Sequence, residues 1–201
     1  MTTARASILV ALAFIASLTL YASPSAASEP AGSSTDRSAA EDAQIHCVAK
    51  AYPIGQSPAV VPPAVCFDTF GAAIAYATGG AVQIPDVTSR QLSEAEMAPN
   101  GTLGSTIIGI DYTEAQHTGS TFFWNVDDPN GCLAGAKWQA TEMPAGWNDV
   151  VSSAYSYQGC DYWYHYEHTG LWGSRLACTC YSMGIMDNLT SSEFWSNTPT
   201  P

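Results

Sequence analysis

Residues 147–153 read WNDVVSS and residues 186–192 read MDNLTSS. Both fit one hexad, N/D-N/D-x-x-S/T-S. Asn148-Asp149 and Asp187-Asn188 come first, two uncommitted residues follow, and Ser152-Ser153 and Ser191-Ser192 close the pattern. Upstream of each lies a Tyr-x6-Gly element ending in Gly-Ser: Tyr112 to Gly119-Ser120, and Tyr166 to Gly173-Ser174. An oxygen-rich hexad that occurs twice, each time behind its own aromatic–glycine element, points to two copies of one supersecondary unit. It also points to two sites for a hard cation, since carboxylate, amide carbonyl and hydroxyl oxygens are the ligands such ions take.

The surroundings read as β. From Thr106 to Trp195, short apolar or aromatic runs such as TIIGIDY, STFFWNV, AKWQA, VVSSAYSY, CDYWYHY and SRLACTCY are separated by Gly, Pro, Asn and Asp turns. All six tryptophans lie in this stretch. Closely spaced short strands with turn signals predict an all-β sandwich or barrel. Together the segments IDYTEAQHTGS, GWNDVVSS, YHYEHTGLWGS and MDNLTSS resemble the βγ-crystallin superfamily, most closely the secreted single-domain forms that occur in actinobacteria. The resemblance spans residues 105–196 and implies a βγ-crystallin-like double Greek key sandwich. Tyr112 and Gly119 would open the first key, Tyr166 and Gly173 the second. The glycine is needed where the hairpin folds back and the backbone takes positive φ. This chain departs from the family pattern at the mid-element aromatic, which is His117 in the first key and Leu171, beside Trp172, in the second. Weaker or shifted ring stacking is expected there. The first key also carries a longer excursion, around DDPNGCLAG.

In the resembled family the hexads are calcium sites, and the resemblance implies the same role for Asn148, Asp149, Ser152, Asp187, Asn188 and Ser191. Each of two Ca2+ ions would draw on both hexads, with backbone carbonyls near Glu114 and Glu167 completing the shell. Each hexad has one formal carboxylate. Modest ligand charge implies modest affinity, roughly 10⁻⁵–10⁻³ M. The competing reading is a turn whose hydroxyls merely bond the backbone. The expected function is therefore a secreted, non-enzymatic, calcium-binding protein. Some microbial metalloproteinase inhibitors share this fold. An extracellular proteinase inhibitor is thus the alternative, with the disulfide-flanked segment 125–146 as its exposed loop. A third reading is a cell-wall polysaccharide binder that uses the Trp and Tyr side chains.

Other motifs carry less. His165 and His168 stand three apart in a strand-like run and should face opposite ways. Asp127-Asp128-Pro129-Asn130-Gly131 lacks EF-hand spacing and reads as a turn. No HExxH, GxSxG or phosphate-binding loop is present, and no nucleophile–base pair stands out, so no enzymatic activity is expected. The chain has 6 Lys+Arg against 18 Asp+Glu, a formal net charge of −12. That balance argues against nucleic acid or an anionic membrane as partner and suits cations.

Toward the N-terminus, residues 1–27 read as a secretory signal peptide: Arg5 supplies the positive end, Ile8 to Leu20 the apolar core, and Ser25-Ala26-Ala27 the cleavage site. Residues 28–43, SEPAGSSTDRSAAEDA, lack apolar periodicity and read as a disordered linker. Residues 44–98 read as a small strand-helix-strand appendage expected to pack on the β-rich stretch C-terminal to it. In it, Ile45 to Tyr52 is a strand and CFDTFGAAIAYATGG a helix capped by Asp68 or Thr69 and closed by Gly79-Gly80. Ala81 to Ile84 is the second strand, and Ser93 to Met97 adds a helical turn. Six cysteines behind a leader read as disulfides, with 15 possible pairings. Cys47 with Cys66 and Cys132 with Cys160 are the expected pairs. Cys178 and Cys180 either bridge each other or pair elsewhere. Beyond the leader no apolar run is long enough to span a membrane.

Overall fold

The computed structural model describes residues 44–56, 58, 61–97 and 104–199, so the expected leader and linker lie outside the described residues. In chain order the strands are β1 (His46–Lys50), β2 (Tyr52–Pro53), β3 (Val65–Phe67), β4 (Thr106–Glu114), β5 (Thr118–Val126), β6 (Trp138–Ala140), β7 (Ser153–Ser156), β8 (Tyr162–His168), β9 (Trp172–Ala177) and β10 (Ser192–Ser196). Among the described residues one α-helix, α1 (Phe70–Ala77), falls between β3 and β4, and short 3-10 turns cover Ala115–His117 and Gly184–Met186. The class is all-β.

The strands form two sheets, ordered β3-β1-β5-β4-β7 and β2-β6-β10-β8-β9. The doubled sequence pattern has a doubled structural counterpart. In the first repeat β4 pairs antiparallel with both β5 and β7. In the second, β8 pairs antiparallel with both β9 and β10. Between hairpin and hexad the chain leaves its own sheet: β6 of the first repeat pairs with β10 of the second. The matching stretch of the second repeat returns the exchange through a bridge from Cys180 to Ala154 on β7.

Side-chain alternation divides the aromatic residues of β5 between two cores. Phe122 and Trp124 join Ile108, Trp138, Trp147, Val151, Trp163 and Trp195 in a core contributed by both sheets. Phe123 points the other way, to Ile107, Ile110 and Tyr112 and to Phe70, Ala73, Ile74 and Ala77 of α1. The first sheet is therefore buried on both faces, which is why β4 reads as a nearly continuous apolar run.

Residues 44–97 are built into this arrangement. β1 runs parallel to β5, placing Cys47 opposite Phe122, and β3 pairs antiparallel with β1. β2 extends the other sheet by pairing with β6. Thr69 caps α1, its hydroxyl accepting from Ala72 N–H at 3.2 Å, and Gly79 and Gly80 end it at φ +61° and +83°. Ser93 and Glu96 form a reciprocal cap, with Ser93 N–H donating to Glu96 Oε2 (2.9 Å) and Glu96 N–H to Ser93 Oγ (3.3 Å). The strand expected at Ala81 to Ile84 does not form. Val82 N–H is instead taken by the Thr78 hydroxyl (3.1 Å), and the Ile84 carbonyl lies 2.9 Å from where a Cβ on Gly71 would sit. The segment thus folds back over the helix, away from any strand edge.

Candidate functional site

Each Tyr-x6-Gly element becomes a tight hairpin. Gly119 has φ +86° and a Cβ there would come within 2.5 Å of Glu114 Cγ, while Gly173 has φ +90° and a Cβ there would meet His168 Cδ2 at 2.9 Å. The last serine of each hexad clamps the hairpin of its own repeat. Ser153 Oγ donates to the Glu114 carbonyl (2.6 Å) and accepts from His117 N–H (3.0 Å). Ser192 Oγ donates to the His168 carbonyl (2.6 Å) and accepts from Leu171 N–H (3.0 Å). His117 and Leu171, both at φ near +60°, occupy the mid-element slot. His117 keeps ring packing in that slot, with centroids 5.1 Å from Tyr112, 5.6 Å from Tyr155 and 4.6 Å from Tyr181. Burial pushes its imidazole pKa down, partly offset by the Ala154 and Cys180 carbonyls, each 3.2 Å from Nε2. In the second hairpin Leu171 is only half-buried and Trp172 points to solvent.

The hexads lie against each other through a set of matched bonds. Asp149 N–H donates to the Thr190 carbonyl and Asn188 N–H to the Val151 carbonyl, both at 3.0 Å. Ser152 N–H donates to the Tyr112 carbonyl and Ser191 N–H to the Tyr166 carbonyl, both at 2.8 Å. Asp149 and Asn188, the second positions, adopt φ +59° and +56°, a conformation Asn and Asp tolerate better than other side chains. The hydroxyls of Ser152 and Ser191 are nearly buried, while Asn148, Asp149, Asp187 and Asn188 are exposed. One side-chain bond crosses the pair, Ser191 Oγ donating to Asp149 Oδ1 at 3.3 Å, and within the first hexad Asn148 Nδ2 donates to Asp149 Oδ2 at 2.6 Å. Among the described residues the matching pair Asn188 and Ser152 makes no such bond; Asn188 Nδ2 donates to Asp187 Oδ2 at 3.3 Å. Of the six hexad residues named from sequence, the structure therefore brings Asn148, Asp149 and Ser191 together by their side chains. It holds Ser152, Asp187 and Asn188 on the other half of the same backbone lattice. Across the second hairpin, hydrogen bonds from Ser174 hold the Glu167 carboxyl below its ordinary pKa.

The cysteines fasten the surroundings. Cys47 is bonded to Cys66 and Cys132 to Cys160, and the remaining sulfurs, Cys178 and Cys180, pair with each other. Asp128 Oδ1 accepts from Asn130 N–H at 2.8 Å, so DDPNG is an Asx-stabilised turn.

Sequence reasoning missed a second constellation. Asp111 on β4, His165 on β8 and Glu193 on β10 are fully buried together between the sheets. His165 Nδ1 lies 3.0 Å from Glu193 Oε1 and 4.0 Å from Asp111 Oδ1. Its Nε2 lies 3.1 Å from the Cys178 carbonyl. Trp124 Nε1 donates to Asp111 Oδ2 at 2.9 Å, and the Trp163 indole lies against the imidazole at 4.6 Å between centroids. Burial pushes the Asp111 carboxyl well above the usual range, reinforced by the Glu193 charge. It pushes Glu193 up to about 8 and His165 down. A signal was available. Asp111 and His165 each immediately precede the tyrosine of their repeat, and Glu193 follows the last hexad serine, so all three occupy positions defined by the repeat.

No family model, curated protein or solved structure matches this chain.

Proposed function

We propose that residues 105–196 form a βγ-crystallin-like double Greek key, and that the protein binds calcium through its paired hexads and carries no catalytic chemistry of its own. The shared strand order of the two repeats and their exchanged third strands support the fold reading. One observation carries the calcium reading: the Asp149 carboxylate of the first hexad meets the Ser191 hydroxyl of the second, so one cluster of oxygens draws on both copies. Three disulfides suit an oxidising, extracellular setting. Binding would act on stability, since a ligand at ten times its Kd adds about 1.4 kcal/mol per site by mass action. Calorimetric titration with Ca2+ should give heat and a raised Tm in wild type, and neither in Asp149→Ala/Asp187→Ala. A wild-type protein with no heat and no Tm shift at millimolar Ca2+ would sink the reading.

A second reading, proteinase inhibition, draws on Leu133. It is 65% exposed on the excursion anchored by Cys132–Cys160, and its N–H is fixed to the Asn130 carbonyl at 2.9 Å. Unchanged activity across a panel of secreted metallo- and serine proteinases at stoichiometric excess removes it. For the polysaccharide reading the exposed rings are Trp172, Tyr76 and Tyr181, the other five tryptophans being buried, and pull-down on insoluble polysaccharide tests it.

A further inference from the structure

We propose that Asp111, His165 and Glu193 form a third cation site, distinct from the hexads and suited to a tetrahedral divalent transition metal of the zinc class. The three residues come from three strands and both sheets, and their ligand atoms all lie within 4.8 Å of one another. In a tetrahedral zinc centre with bonds of 2.0–2.2 Å, neighbouring ligands stand about 3.4 Å apart. The separations from His165 Nδ1, 3.0 Å to Glu193 Oε1 and 4.0 Å to Asp111 Oδ1, fall on either side of that value.

The outer contacts point the same way. The carbonyl of Cys178 can only accept, so His165 Nε2 carries the proton and donates to it. In the neutral ring the Nδ1 lone pair then faces the Glu193 and Asp111 carboxyls, where it can receive either a carboxyl proton or a cation. Metal-bound histidines have this outer arrangement, with the second ring N–H given to a backbone carbonyl. Asp111 is oriented likewise, its Oδ2 held by the Trp124 indole. A further observation is that Asp111 Oδ1, Glu193 Oε2 and the Trp163 indole N–H are buried without a well-formed hydrogen bond among the described residues, although the two carboxyls and the indole lie close enough to interact. Such orphaned oxygens are costly unless something fills the role of donor. A divalent cation would take that place and would offset the charge of both carboxyls as they ionise to bind it. One nitrogen and a small number of oxygens suit zinc, whereas calcium takes six to eight oxygens.

The site is sealed, so the ion should load as the chain folds. The test is to refold the full chain in Co2+, remove excess ion on a chelating resin, and record the visible spectrum and the metal content; a parallel refolding uses Zn2+. Wild type should retain a single equivalent and show ligand-field bands in cobalt. Asp149→Ala/Asp187→Ala should keep both while losing its calcium heat, which separates this site from the proposed calcium sites. His165→Gln should lose the bands. Wild type that refolds without bands or retained zinc overturns the proposal, even if His165→Gln proves unable to fold. Bands that persist in a folded His165→Gln overturn it as well.

Discussion

Replacing Ser153 by alanine separates the hairpin clamp that the hexads form from the calcium binding proposed for them. The hydroxyl is fully buried and satisfies both the Glu114 carbonyl and the His117 N–H. Removing it strands both groups, and each stranded group costs about 1–3 kcal/mol. Glu114 is exposed and its carbonyl can recruit water, whereas His117 is 1% exposed. The total should therefore be about 2–4 kcal/mol, a large share of the roughly 5–15 kcal/mol of a typical domain. At about 2–4 °C per kcal/mol for a chain of this size, Tm should fall by roughly 4–16 °C. Urea unfolding followed by tryptophan fluorescence, together with a thermal melt, once in chelator and once in saturating Ca2+, reads both quantities. The loss should be equal in the two conditions, because the sixth hexad position serves the hairpin and is not among the proposed calcium ligands. Asp149→Ala should do the reverse. Its side chain is exposed, so the cost in chelator should be confined to the left-handed strain of alanine at φ +59°, about 1–2 kcal/mol, while the calcium increment disappears. Should Ser153→Ala keep its stability in chelator but lose the calcium increment, the division of labour would be wrong and the sixth position would be a ligand.

Gly119→Ala and Gly146→Ala test the hairpin by comparison. Both residues have φ near +85°, but a Cβ at Gly146 meets nothing within 4 Å, whereas one at Gly119 strikes Glu114 and Thr113. Gly146→Ala should cost about the left-handed strain of 1–2 kcal/mol, and Gly119→Ala clearly more, by chemical denaturation; equal costs would mean the hairpin contact is dispensable. His117→Phe tests the ring slot through pH. The folded-state pKa of His117 is depressed by burial, so its contribution is full above its unfolded value of about 6.5 and is lost as pH falls through the folded value. The Tm of wild type should drop faster than that of His117→Phe on acidification below about pH 6.5. His46 and His165 are also depressed and present in both proteins, so the difference isolates His117. Parallel curves would place the titration elsewhere.

What was legible in the sequence was local. Gly119 and Gly173 signal positive φ, and Ser153 and Ser192 close a repeated pattern, because backbone conformation and short-range hydrogen bonds leave residue-type traces. Thr69 and Gly79-Gly80 marked the helix for the same reason. The Ala81 to Ile84 run illustrates the limit. Its residues suit a strand, but a strand needs a free edge, and here the Thr78 hydroxyl captures the chain first. The parallel pairing of β1 with β5 and the crossing of β6 leave no trace in periodicity, since partner choice is decided across the fold. The Asp111–His165–Glu193 cluster was hidden for a related reason. Each residue alone reads as an ordinary polar position in an aromatic strand, and only the closing of two sheets brings them together.

The way residues 44–67 lie on the two sheets also gives that segment a protective task. Without it, β5 and β6 would be outer strands with unpaired N–H and C=O groups, open to strand addition by another copy of the chain. β1 and β3 occupy the β5 margin, and β3 is only three residues long and lies just after Pro62-Pro63. β2 occupies the β6 margin with two residues, one of them Pro53, which has no N–H to offer. The Cys47–Cys66 bond ties this border together. Each sheet thus ends, on that side, in a margin too short and too proline-marked to extend, which works against uncontrolled self-association.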